Sequence, residues 1–149
     1  MITVIQRVKK ASVQVDEKIV SSISAGLLVL VGIELDDTDG DLDYCAKKIA
    51  EIRIFTDFEG KMNLSVAEIN GEILAVSQFT LAGSVRKGRR PSFDGAMEPI
   101  KALAYFELFT AKLSTYYPWI KTGSFGDHME VSLINDGPVT FILDSKKRI

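Results

Sequence analysis

A single α/β domain is what the 149 residues predict, with mostly antiparallel strands in two sheets and two principal helices packed among them. Three observations carry that expectation. Several segments alternate apolar and polar residues with the two-residue period of a strand, and two longer segments repeat apolar residues at helical spacing. Apolar residues make up 46% of the chain, enough to bury one proper core.

The elements follow in order. Residues 1–8 and 11–15 read as two strands, the second alternating Ala11, Val13 and Val15 with Ser12 and Gln14. Asp16-Glu17-Lys18 turns the chain into a strand over residues 19–23. Residues 27–33 are apolar on both faces, the pattern of a central strand covered above and below. The acidic loop over residues 34–41 has a calcium-loop look, but an EF-hand needs Glu at its twelfth position, and counting from Asp36 that position is Lys47. Asp and Thr here suit the cap of the next helix. That helix is expected over residues 41–55, with Leu42, Cys45, Ala46, Ile49 and Ile52 on its buried face, so Cys45 reads as an inert core thiol. Asn70-Gly71, between Val66/Ile69 and Ile73/Leu74, signals a hairpin.

The strand over residues 72–81 is apolar until Ser77 and then polar at Gln78 and Thr80. Hydroxyl and amide groups at the end of a buried strand are either satisfied strand-end groups or a site. A basic loop follows, in which Arg86, Lys87, Arg89 and Arg90 place four of the chain's 18 Lys and Arg within five residues. Alone it is a solvated loop; beside a site it suits phosphate. A second helix is expected over residues 99–116, opened by Pro99 and closed by Pro118, with Ile100, Leu103, Phe106, Thr110, Leu113 and Tyr116/Tyr117 facing the core. A glycine-interrupted passage over residues 119–128 leads into a final hairpin. Its strands, 129–133 and 139–143, are separated by Asn135-Asp136-Gly137-Pro138, which reads as a turn or as a rigid wedge presenting bare carbonyls. Lys146-Lys147-Arg148 is expected to fray. Arg7 reads as a surface charge, or as a guanidinium fork holding backbone carbonyls.

Composition narrows the chemistry. One cysteine excludes an internal disulfide, and with a single His128 no Cys/His zinc site can be assembled. No carboxylate cluster has ligand spacing, so no metal is expected. The longest apolar run is too short to cross a bilayer, and the chain opens on a strand pattern in place of a signal peptide, so a cytoplasmic protein is expected. With a net charge of −2, a nucleic-acid partner would require a local basic patch. His128 is the only candidate imidazole base, and no Ser/His/Asp spacing surrounds it.

Two stretches together, Ser77-Gln78-Phe79-Thr80-Leu81-Ala82 and Asn135-Asp136-Gly137-Pro138-Val139-Thr140, resemble the paired signature motifs of D-aminoacyl-tRNA deacylases. Val4-Ile5-Gln6-Arg7-Val8 and Lys87-Gly88-Arg89-Arg90-Pro91-Ser92-Phe93 match as well, so the likeness covers essentially the whole chain. It departs at Asp16-Glu17-Lys18, which lacks an expected glycine, and at Asp127, where a small residue is expected.

The resemblance implies a homodimeric hydrolase that cleaves the ester joining a D-amino acid to the 3′-terminal adenosine of tRNA. Its active sites would lie at the subunit interface, with no cofactor and no membrane partner. Gly137-Pro138, cis in this family, would enter the partner's pocket and exclude L side chains, while mischarged glycyl-tRNA would pass. Main-chain N–H groups of Phe79 and Thr80 would be oxyanion donors, Gln78 an orienting amide, Phe79 a pocket wall, Ser77 a substrate contact and Arg7 the brace of the Gly-Pro loop. Arg86, Lys87, Arg89 and Arg90 would meet tRNA phosphates. The substrate's ribose 2′-hydroxyl would take part, in keeping with the missing triad. The alternative left open is a non-catalytic module that holds a tRNA 3′ end.

Overall fold

The computed structural model describes residues 1–149. Its frame is one long strand, β1 (Ile2–Val15), where the sequence pattern suggests two. Exposed Lys9 and Lys10 mark the place where β1 changes partner. Its first half pairs antiparallel with β3 (Gly26–Gly32), its second with β2 (Lys18–Ile23), and its other edge pairs with β8 (Glu130–Asp144). Beyond β3 the sheet continues in parallel through β6 (Glu72–Ser77) and β7 (Ile120–Thr122). A small antiparallel sheet of β4 (Phe55–Thr56) and β5 (Met62–Leu64) stands apart. The expected two sheets, mostly antiparallel, are therefore present.

Both faces of the central strands are buried, as the all-apolar run requires. Leu27, Val29, Val31, Ile73 and Ala75 face α1 (Asp39–Glu51) and α2 (Pro99–Tyr116), where they join Leu42, Cys45, Ile49, Phe106, Phe109 and Leu113 in the larger core. Leu28, Leu74 and Val76 face the other way, and Val8, Ala11, Val13 and Ile23 cover them. The second half of β1 thus curls over the sheet and serves as its other layer. Burial pushes the Cys45 thiol up to about 12, consistent with an unreactive core residue.

Several expectations are corrected. Helix α1 stops at Glu51 instead of residue 55, because Ile52 is extended and Phe55 pairs with Leu64. At its start the Asp41 carboxylate accepts from the Thr38 N–H (2.9 Å) and hydroxyl (2.7 Å). Helix α2 has the expected bounds, but Ala102 and Phe109 are buried while Ile100 and Leu103 are exposed. Apolar residues surround nearly the whole helix, so its period does not select a stripe. Asn70-Gly71 makes a turn with Asn70 at φ 52°, but no hairpin: the strand after it runs parallel to β3. The strand expected to reach residue 81 ends at Ser77.

The final hairpin is also absent. Strand β8 is continuous, and the Gly-Pro stretch is a bulge within it. The C-terminal cations do not fray. Arg148 Nη2 donates to Glu34 (2.6 Å) and Asp144 (2.9 Å), and this guanidinium holds the Asp144 carboxyl well below the usual carboxylate range. Lys146 pairs with Asp36 and with Asp37. The acidic loop is thus tied to the C-terminus by ion pairs.

A methyl on Gly26 would lie 1.8 Å from the Glu72 carbonyl oxygen and 2.7 Å from its nitrogen, both backbone atoms of the adjacent strand. Gly26→Ala should lower unfolding stability by at least about 3 kcal/mol in a denaturant titration. An unchanged midpoint would contradict the β3–β6 register.

Candidate active site

The end of β6 builds one half of the site. Its apolar residues Ile73 to Val76 are buried, and Gln78 N–H donates to the Val31 carbonyl at 2.7 Å as the last rung against β3. The chain then tightens into a 3₁₀ turn (Phe79–Ala82), closed by Leu81 N–H to Gln78 carbonyl at 3.2 Å and Gly83 N–H to Thr80 carbonyl at 3.0 Å. The N–H groups of Phe79 and Thr80 lie ahead of the first of these bonds, where a helical turn leaves donors without internal partners. Gln78 Nε2 donates to Thr80 Oγ1, which fixes both side chains relative to each other.

Beside this turn opens a cavity of about 740 Å³. Val76, Met97, Ala102, Phe125 and Met129 give it apolar walls, and Ser77, Gln78 and Phe79 border it at the strand end. Its size and its apolar lining with few polar groups suit a small organic moiety. Glu98, Asp127 and His128 also line it. Glu98 is occupied as the cap of α2, its oxygens accepting from the N–H groups of Lys101 (2.7 Å) and Ile100 (3.2 Å), and Asp127 accepts from the Ser124 hydroxyl. Thr80 is exposed and stands just outside the lining.

The Gly-Pro bulge is the second half. Asn135 lies opposite Val8 and Thr140 opposite Gln6, so residues 136–139 stand against Arg7 alone. Asn135 clamps the base of the loop: its Oδ1 accepts from the Val139 N–H (2.7 Å), and its Nδ2 donates to Val139 O (3.2 Å) and Thr140 Oγ1 (3.1 Å). Arg7 is buried, not a surface charge. Its Nε donates to the Asp136 carbonyl (2.8 Å) and its Nη1 to the Ile54 carbonyl (2.7 Å). The Gly137-Pro138 peptide is cis, and both residues are exposed. Gly137 has φ +150°, and a methyl there would lie 2.5 Å from Val139 Cγ2. The loop therefore holds a bare backbone face outward.

Ser77, Gln78 and Phe79 come together at the cavity, with Thr80 adjoining, whereas Arg7, Gly137 and Pro138 contribute nothing to its lining. Arg86, Lys87, Arg89 and Arg90 are exposed on a loop whose neck is closed by reciprocal Ser84 and Ser92 backbone bonds of 2.7 and 2.9 Å. Phe93, directly after that neck, reaches the cavity and packs 5.1 Å from the Phe79 ring centroid. The walls Met97, Phe125 and Met129 carried no signal in the sequence, because apolar residues in two distant segments look like core.

Residues 4–144 match the D-Tyr-tRNA(Tyr) deacylase family. A Persephonella marina protein named D-aminoacyl-tRNA deacylase is 57% identical over 146 residues, covering 98% of this chain and 99% of the relative. A Thermosipho africanus protein of the same name is 54% identical over 99% of both chains. Among solved structures, one described as c-Myc DNA Unwinding Element Binding Protein superposes with a TM-score of 0.92 at 44% identity, over 97% of this chain and 98% of that one. Another, described as a probable eukaryotic D-amino acid tRNA deacylase, shares the fold with a TM-score of 0.82 at 21% identity, over 95% and 97% of the two chains.

Replacing Arg7 by Met keeps the aliphatic stem but leaves the Asp136 and Ile54 carbonyls without their charged donor. The expected loss is about 1.5–3 kcal/mol of unfolding stability, together with faster amide exchange across the bulge. Wild-type exchange at Gly137 and Val139 would show that Arg7 does not brace the loop.

Proposed function

The chain belongs to the D-Tyr-tRNA(Tyr) deacylase family, and from that premise we propose that its active site is completed by a second subunit, whose Gly-Pro wedge selects the substrate. The protein hydrolyses D-aminoacyl-tRNA: water adds to the acyl carbon, the bond to the ribose oxygen breaks, and the free D-amino acid and tRNA leave.

One observation carries the shared-site reading. The Gly137-Pro138 bulge is braced and points outward, yet it lies outside the lining of its own chain's cavity. It stands on β8, which pairs only with β1 and leaves its other edge open. Ile134, Phe141 and Ile142 are exposed along that strand. A long open edge with exposed apolar residues is a surface that proteins cover. In a two-fold dimer the same patch meets itself, so each bulge can reach the other subunit's cavity.

The chemistry asks little of side chains. An aminoacyl ester is already activated, so orientation and preorganised donors suffice. The N–H groups of Phe79 and Thr80 receive the developing oxyanion, Gln78 orients the ester, and Ser77 and Phe79 hold the terminal adenosine and acyl group. Within this reading the ribose 2′-hydroxyl of the substrate assists the attack, which removes the need for an acid–base pair. The partner's Gly-Pro carbonyls then occupy the space an L side chain needs, and glycine, with no side chain, passes. The basic loop supplies phosphate contacts through Arg86, Lys87, Arg89 and Arg90. No helix is long and apolar enough to cross a membrane, and we place the enzyme in the cytoplasm, where charged tRNA is used.

Incubation with D-tyrosyl- and L-tyrosyl-tRNA should release tyrosine from the D ester alone; no D-selective release would remove the reading and leave a nucleic-acid-holding module. Gly137→Ala should cost about 10²-fold in D-selective turnover, the scale of a small misplacement at a reacting centre. Mixed with inactive Gln78→Ala subunits, it should recover about a quarter of wild-type activity, since half the dimers are mixed and each holds one intact site; no recovery would show that the two halves are not shared.

Thr80→Ala distinguishes the chemistry. A true nucleophile is worth about 10⁶ in kcat. Backbone catalysis predicts substantial residual turnover in a single-turnover assay, and abolition would make the hydroxyl a participant.

A further inference from the structure

Phe93 is a large apolar side chain that is 38% exposed beside the cavity, and the fold takes several steps to hold it there. The ring lies against Gly83, where a methyl group would come within 2.8 and 3.0 Å of two ring carbons. Gly83 has φ −78° and ψ 155°, angles open to any residue, so its missing side chain serves the ring and not the backbone. The Phe79 ring also packs against it, at 5.1 Å with a 58° tilt. The segment carrying Phe93 is stitched down at four places. Ser92 N–H bonds to Ser84 O (2.9 Å), Ala96 N–H to Phe93 O (2.9 Å), Leu35 N–H to Gly95 O (2.9 Å) and Met97 N–H to Ile33 O (3.2 Å). An aromatic face so fixed is prepared before any ligand arrives, which lowers the cost of using it.

We propose that Phe93 is a substrate-binding residue that stacks on a nucleobase of the single-stranded acceptor end, an inference that rests on the tRNA reading of the cavity. Its place decides the ligand chemistry. The ring follows directly on the Ser84/Ser92 neck of the loop that carries Arg86, Lys87, Arg89 and Arg90, so a flat apolar face and a cluster of cations lie side by side. A nucleic-acid strand offers the matching pair, a base with a π-face and phosphates at its own sugar, and grooves that bind single strands combine these two features. A free amino acid offers no polyanion to the loop.

The test uses the full-length protein with two substrates, D-tyrosyl-tRNA and 3′-O-D-tyrosyl-adenosine, and three variants, Phe93→Leu, Phe93→Trp and Gly83→Ala. Phe93→Leu should raise KM for the tRNA ester roughly tenfold, the scale of one lost base–aromatic stack, with kcat held within about twofold. Phe93→Trp should restore it. Gly83→Ala, which displaces the ring without touching substrate, should reproduce the Leu phenotype. If KM for the adenosine ester rises in parallel, the stacked base is the terminal adenine; if only the tRNA ester responds, it is a preceding nucleotide.

An independent readout is fluorescence. The indole introduced by Phe93→Trp should be quenched by the trinucleotide CCA, while the native Trp119 of the wild-type chain is not. Quenching without D-amino-acid release from wild-type protein would retire the hydrolase reading and keep this one. Unchanged KM for both esters in Phe93→Leu, a loss confined to kcat, or an unquenched indole would overturn the proposal.

Discussion

The guanidinium of Arg7 joins two parts of the chain that have no other reason to meet. Its Nε holds the Asp136 carbonyl in the β8 bulge, and its Nη1 holds the Ile54 carbonyl just after α1. A buried cation is tolerable only when its donors are used. Here Nε and Nη1 are used on two backbone oxygens, so the contacts that accommodate the buried charge also hold the irregular loop. The bulge is consequently a fixed part of the molecule, and Asn135 closes its base from within.

The cavity beside the end of β6 follows the same logic. Polar groups appear where β6 loses its ladder partner, at Gln78, and the tight turn after it sets consecutive N–H groups ahead of the turn's own hydrogen bonds. Gly32 allows this turn to lie on the end of β3, where a methyl would meet Leu81 Cβ at 2.6 Å. The turn beside the cavity is therefore anchored to the most buried strands in the molecule, while the basic cluster stands on an exposed loop.

The long β1 explains how so small a chain covers both faces of its sheet. Changing partner at Lys9 and Lys10, it pairs with β3 in its first half, and in its second it pairs with β2 and covers the other face of the sheet. The helices then need to cover one face only. This leaves the outer edge of β8 open, and the same strand carries the Gly-Pro bulge, so the unpaired edge and the exposed cis peptide belong to one element.

Much was legible in order along the chain: the all-apolar central strand, two helices with their proline and threonine starts, the polar end of β6, and the Gly-Pro interruption, because each is set by local periodicity or by the chemistry of one or two residues. The basic loop was equally plain as a cluster of charge. Where periodicity is ambiguous the stripe is misplaced: with apolar residues on several sides of α2, Ile100 is expected in the core, whereas it is exposed and Phe109 is buried instead. Where pairing is non-local the local pattern misleads too: Asn70-Gly71 has a hairpin's turn residues, and only the parallel alignment with β3 decides against a hairpin. The same holds for the Gly-Pro stretch, a turn by composition and a bulge by its pairing with β1. Local preference is short-ranged and survives in sequence, whereas the meeting of Phe93 with Gly83, of Arg7 with Ile54 and of Met97 with Met129 depends on contacts between distant segments, which only the packed chain brings within reach.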